Sequence, residues 1–69
     1  MDIIRVFGIN VKKLRLERHL SQEKFAELCG LHRTYISDIE CFNRNVSLET
    51  VQKIANALKV ETSTLFIEK

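Results

Sequence analysis

The chain has 69 residues, 45% of them hydrophobic, with 11 basic and 9 acidic side chains and a net charge of +2; this allows one small domain, residues 1–69, whose core alone seldom supplies more than about 3–5 kcal/mol without a disulfide, a metal or a partner chain. Its cysteines, Cys29 and Cys41, and the half-motif Cys29-Gly30-Leu31-His32 make no zinc site, so neither metal nor cofactor is expected and a partner chain is the support to look for. No apolar run approaches the roughly 20 residues of a membrane span, and Met1 to Gly8 lacks the form of a signal peptide, which predicts a soluble, cytoplasmic protein with reduced thiols.

Apolar residues recur at intervals of three and four, so helices are expected throughout. The first runs from about Ile3 to Arg18. Ile4, Phe7, Val11 and Leu14 form its main stripe, and Val6, Ile9 and Leu16 a smaller second one. That second stripe is either wrapped by its own domain or contacts another chain. Lys12, Lys13, Arg15 and Arg18 gather in the second half, where cations suit a helix C-terminus. After a short loop at His19 and Leu20, Ser21 has the side chain of an N-cap. The second helix follows from Gln22 to Cys29, with Phe25, Leu28 and Cys29 facing inward, and Gly30 ends it. A third helix runs from about Arg33 to Cys41, with Ile36 and Ile39 inward and Arg33, Thr34, Ser37 and Asp38 outward. Phe42 to Val46 is a loop. Ser47 caps a fourth helix with Leu48, Val51, Ile54, Ala55 and Leu58 on one face. A last short helix starts near Glu61 or Thr62 and carries Leu65, Phe66 and Ile67.

Function points to the middle of the chain. For a third helix to lie across the second, the residue at the crossing must be small, and Ala26 is. The turn between them needs a positive φ, which Gly30 supplies without steric cost. Ile36 and Ile39 anchor the third helix. At this spacing Ala26, Gly30, Ile36 and Ile39 together signal a helix-turn-helix, with residues 21–41 as the unit that reads DNA. An ordinary helical hairpin without a ligand is the competing reading.

The stretch "SQEKFAELCGLHRTYISDIE" and the later "NVSLETVQKIANALKVETSTLF" resemble the Cro/cI-type, or Xre-like, helix-turn-helix family over about Phe7 to Phe66. The portion "HRTYISDIE…NRN" looks most like the controller proteins of restriction–modification systems. The resemblance implies an all-α, compact five-helix bundle of the lambda-repressor-like kind. It further implies a sequence-specific transcriptional regulator that binds double-stranded DNA as a homodimer on a (pseudo)palindromic operator. Arg33, Thr34, Ser37 and Asp38 would then face bases. Gln22, Tyr35, Asn43, Arg44 and Asn45 would meet the DNA backbone, with Gln22 also bracing the third helix. Arg15 would pair with Glu40 as a structural bridge. Leu65, Phe66 and Ile67, joined by Val60, would serve the dimer within residues 48–69, with Leu65 and Phe66 also expected to close the core of the single chain. Arginine can give two parallel bonds to guanine O6 and N7, and Asp38 would either accept from cytosine N4 or position Arg33.

Several positions depart from the family pattern. His19 stands where many relatives have glycine, His32 where Ser, Thr or Asp would cap the third helix, and Phe42 where a small residue is common. His32 either leaves the start of that helix less rigid or meets a phosphate as a charged donor. Phe42 either covers the core or packs on the DNA sugar backbone. Val46 and Lys59 replace the usual proline before and glycine after the fourth helix. The modest charge leaves a second class of function open, a protein-interaction or antitoxin-type module. No acid–base pair sits in a pocket-building sequence, so an enzyme is not expected. No small-molecule ligand is expected either, and regulation by concentration is anticipated because the length leaves no effector domain.

Overall fold

Asp2 opens the first helix by accepting a hydrogen bond from the Arg5 amide at 3.3 Å, and the computed structural model, which describes residues 1–68, starts two of the later helices with equally local caps. Helix α1 spans Ile3–Glu17, α2 Gln22–Cys29, α3 Arg33–Glu40 and α4 Leu48–Leu58. These bounds lie within a residue of those the apolar spacing predicts. Ser21 accepts from the Lys24 amide at 3.0 Å and Ser47 from the Thr50 amide at 3.1 Å, each satisfying one of the free donors of a helix start. His32 makes no such bond at the start of α3.

The chain ends its helices by entering the left-handed region. Gly30 does so after α2 with φ +71°, as that conformation favours. His19, Phe42 and Lys59 do so with φ values of +56°, +64° and +59°. In a side chain-bearing residue this geometry costs about 1–2 kcal/mol, so packing around these turns must hold them in place. The predicted fifth helix is a 3₁₀ turn, Thr62–Phe66. Among the described residues the fold is therefore four α-helices and one 3₁₀ segment. Glu61 gives this segment no side-chain cap, and its first bond, from the Thr64 amide to the Glu61 carbonyl, closes over three residues.

The core draws on every element: Phe7 and Val11 from α1, Phe25, Ala26 and Cys29 from α2, Ile36 and Ile39 from α3, Val51, Ile54, Ala55 and Leu58 from α4, and Leu65 from the 3₁₀ turn. Fully burying one such large side chain is worth about 1.5–3 kcal/mol. Two leucines expected in this core lie outside it. Leu28 is 54% exposed and Leu48 86% exposed. Phe25, Ala26 and Cys29 centre the buried face of α2, and at 3.6 residues per turn Leu28 sits roughly 110° round from that centre. Leu48 is the first residue of α4, a turn short of the elements that cover Val51. The smaller α1 stripe also divides: Val6 is buried, whereas Ile9 and Leu16 are exposed.

Two contacts fix α1 within this frame. Gly8 lets α1 approach α3 so closely that a Cβ there would lie 2.5 Å from the Ile39 carbonyl oxygen. Asn10 donates from Nδ2 to the carbonyls of Leu65 and Ile67, each at 2.9 Å, and so holds the segment after α4 along the first helix. Among the described residues no helix is long and apolar enough to cross a membrane.

Candidate nucleic-acid interface

Helix α3 has one face committed to the fold and one left outside. Ile36 and Ile39 are buried on the inner face. At its last turn Glu40 is buried and receives two bonds from Arg15: Nε to Oε2 at 2.7 Å and Nη2 to Oε1 at 3.0 Å. This is the bidentate geometry in which a guanidinium and a carboxylate bind most strongly. Gln22 Nε2 also donates to Glu40 Oε1 at 3.1 Å, and Arg15 Nη1 donates to the Leu20 carbonyl at 2.7 Å. The network ties α3 to α1, to the turn after α1 and to the start of α2. Among the described residues no buried side-chain nitrogen or oxygen lacks a hydrogen-bond partner, which is the condition under which a buried ion pair holds its geometry.

The outer face carries Arg33 and Thr34, both exposed, and Ser37 and Asp38, both half-buried. Asp38 does not position Arg33. Its Oδ2 accepts from Arg44 Nη2 at 3.0 Å, and the Arg44 guanidinium lies 4.2 Å from the centre of the Tyr35 ring. Tyr35 and Asp38 are three residues apart on one helix and therefore adjacent on its surface. Arg44 reaches them because the chain turns back on itself at Phe42, where φ is +64° and the Asn43 amide donates to the Asp38 carbonyl at 2.9 Å. Asn43 and Asn45 flank it, exposed.

Phe42 is half-buried against α1. A Cβ on Gly8 would come within 2.8 Å of its ring edge, and the Arg5 guanidinium, one turn earlier on α1, sits over the ring 4.8 Å from its centre. The loop after α3 is thus held between α1 and the outer face of α3. The expected bracing of the third helix by Gln22 takes the form of its bond to Glu40, while sequence reasoning missed both arginine stacks. Their only outward sign is the run Asn43-Arg44-Asn45 beside a residue type that rarely takes a left-handed turn.

The residues assigned to a dimer contact behave differently from one another. Leu65 is wholly buried in its own chain and offers a partner no surface. Phe66 is half-buried, stacked on Phe7 with ring centres 5.4 Å apart and planes at 21°. Ile67 is 52% exposed, and Val60 is half-buried against the core. Exposed Leu48 and Ile3 share a shallow groove with Phe66. Both thiols are free. Burial pushes the Cys29 thiol up from 9.0 to about 11, whereas Cys41, capping the end of α3, is exposed.

Two short helices joined at a left-handed glycine, the second locked from behind and bare in front, define a helix-turn-helix unit. The chain belongs to the helix-turn-helix family, whose model matches residues 11–65. It is similar to the control protein C.BamHI of Bacillus amyloliquefaciens, 52% identical over 65 residues that cover 93% of this chain and 80% of that one. Among solved structures it is similar to the restriction-modification controller protein C.AhdI from Aeromonas hydrophila. That match has a TM-score of 0.88 and 43% identity, and it covers 91% of this chain and 96% of that one. It is also similar to the controller protein C.Esp1396I, solved as a tetramer on its natural 35 base-pair operator. Here the TM-score is 0.84 and the identity 34%, over 93% of this chain and 84% of that one.

Proposed function

We propose that this chain is a sequence-specific DNA-binding transcriptional regulator that places α3 in the major groove of a (pseudo)palindromic operator as a homodimer. The observation that carries the reading is the bare outer face of α3, with Arg33 and Thr34 exposed on a helix whose other side Arg15 and Glu40 lock. A reading helix has to be rigid behind and uncovered in front. The operator-bound structure of C.Esp1396I, at 34% identity, supports the same use of the fold.

In this reading Arg33 takes guanine O6 and N7, Thr34 and Ser37 contact neighbouring base edges, and Asp38 accepts from a cytosine N4 amino group. Gln22, Tyr35, Asn43, Arg44 and Asn45 meet phosphates and sugars and set the register. Gln22 keeps an amide hydrogen beyond the one it gives Glu40, so it can brace α3 and hold a phosphate together. The dimer face consists of Ile67 and the exposed part of Phe66, with Leu48 beside Phe66. Two-fold symmetry then sets the half-sites about one DNA turn apart.

The test is fluorescence anisotropy with duplexes selected by the protein from a genomic pool. Between about 50 and 200 mM salt, roughly 6–10 phosphate contacts should cost about 10³–10⁵ in affinity. Arg33→Ala should reduce cognate binding far more than binding to a scrambled duplex, and Ile67→Asp should sediment as a monomer. No enriched sequence and a flat salt response would overturn the reading in favour of a protein-interaction module.

A further inference from the structure

The Arg44–Asp38 pair raises a question of charge. Arg44 is a cation at the edge of a face proposed to meet a polyanion, yet a carboxylate on that same face holds it at 3.0 Å. It also lies on an aromatic ring at 4.2 Å. The pair is neither buried nor free: the side chains of Arg44 and Asp38 are 40% and 33% exposed. One exposed salt bridge with one exposed cation–π contact favours the docked arginine by roughly tenfold. That is enough to populate the docked state and little enough for a ligand to reverse.

We propose that Asp38 is a specificity-determining residue that acts by withholding Arg44 from DNA until a base takes Arg44's place. This rests on the DNA-binding reading above and adds to it a link between one base contact and one phosphate contact. On an arbitrary sequence the carboxylate faces base edges that offer it no donor. Releasing Arg44 would leave it desolvated and unpaired beside phosphates, which is costly, so Arg44 stays docked and contributes no phosphate contact. Where a cytosine N4 amino group stands opposite Asp38, it supplies the hydrogen bond that Arg44 gave up. Arg44 then moves to a phosphate oxygen. The left-handed turn at Phe42, fixed by Gly8 and Arg5, anchors the loop while the arginine side chain swings.

The coupling predicts a pattern that neither a plain surface acid nor a plain phosphate contact produces. With Asp38→Asn, Arg44 is always released. Affinity for a scrambled duplex should rise about tenfold, the strength of one charge-assisted hydrogen bond, and its log–log salt slope should steepen by about 0.9, one more phosphate neutralised. Cognate affinity should fall a few-fold, because a neutral asparagine carbonyl accepts from cytosine N4 more weakly than the carboxylate does, so the preference for the cognate site narrows by more than about tenfold. With Arg44→Gln the scrambled affinity should stay within about twofold and the cognate affinity should fall about tenfold.

A second measurement needs no DNA. Tyr35 is the only tyrosine and the chain has no tryptophan, so intrinsic emission reports the ring under Arg44. In the free protein, Asp38→Asn should move that emission towards the Arg44→Gln value. Emission identical to the unmodified chain would show that the carboxylate does not hold Arg44 and would overturn the inference. So would an unchanged scrambled affinity in Asp38→Asn, or equal losses on both duplexes in Arg44→Gln. Absence of any duplex binding by the unmodified chain would bring down the proposed function and the coupling together. Failure of the variants alone, with that binding intact, would bring down only the coupling.

Discussion

Gly8→Ala sets two physical effects against each other, and the structure decides between them. In the interior of an exposed helix, replacing glycine by alanine gains about 1 kcal/mol of helix propensity. At this position the added Cβ would stand 2.5 Å from the Ile39 carbonyl oxygen and 2.8 Å from the Phe42 ring. The ring can give way, being a side chain. The carbonyl cannot, since it belongs to the last turn of α3 and accepts the Phe42 amide at 3.1 Å. Clearing the contact means moving the two helices apart, at the upper end of the roughly 1–3 kcal/mol that overpacking costs. The net expectation is a loss of about 1–2 kcal/mol, which for a domain of this size lowers Tm by roughly 5–15 °C. Urea melts followed by circular dichroism measure it. A double variant with Phe42→Ala separates the two contacts, and Gly8→Ala should remain destabilising in that background because the carbonyl is still there. An unchanged or raised midpoint in the single variant would refute the claim that α1 and α3 meet without slack.

Three further outcomes follow from the buried pair, the turns and the thiols. Glu40→Ala leaves the Arg15 guanidinium buried without its carboxylate and should cost about 3–5 kcal/mol, most of a small domain's stability; Arg15→Met with Glu40→Leu should recover more than half of that loss in the same urea melts. Lys59→Gly relieves a left-handed φ of +59° at an exposed residue and should raise stability by about 0.5–1 kcal/mol, seen as a higher thermal midpoint. Cys29, with its thiol raised to about 11 by burial, should resist a thiol reagent at neutral pH while Cys41 reacts, as mass spectrometry would show. Because the folded chain holds that proton more tightly than the unfolded one, Cys29's contribution to stability is complete below about pH 9 and is lost as pH rises towards 11.

Much of the fold was legible because its signals are local. Ser21 and Ser47 place two helix starts, Gly30 places a turn, and apolar spacing gives the inner faces of α3 and α4. The errors mark where locality ends. Leu28 and Leu48 have the residue type and near enough the spacing of core positions, but exposure depends on which element lies opposite: Leu28 is turned off the buried face of α2, and Leu48 stands at the rim of an open groove with Ile3 and Phe66. The fifth helix is 3₁₀ because a segment of five residues gains little from an α-helical ladder, and Leu65 in the core with the Phe7 and Asn10 contacts holds it in place. In the candidate interface, the outward residues of α3 follow from periodicity alone. The Arg44 stack does not. It depends on a left-handed turn at a phenylalanine, which residue preferences argue against, and that turn becomes intelligible only once the ring is seen packed on α1 at Gly8 and Arg5.

Asn10 has a consequence for how the molecule is made. Its two acceptors are 55 and 57 residues further along the chain, and the aromatic partner of Phe7 comes from the same segment. Helix α1 leaves the ribosome first but cannot complete its packing until that segment has followed. At about 5–20 residues per second, the intervening stretch takes roughly 3–11 s to synthesise. The α2–α3 pair makes its contacts between neighbours in sequence, and α1 packs on α3 through Gly8 and the Arg15–Glu40 pair. The part of α1 that meets the last segment, at Phe7 and Asn10, closes only once Leu65 to Ile67 have left the ribosome, so that seam is the last to form.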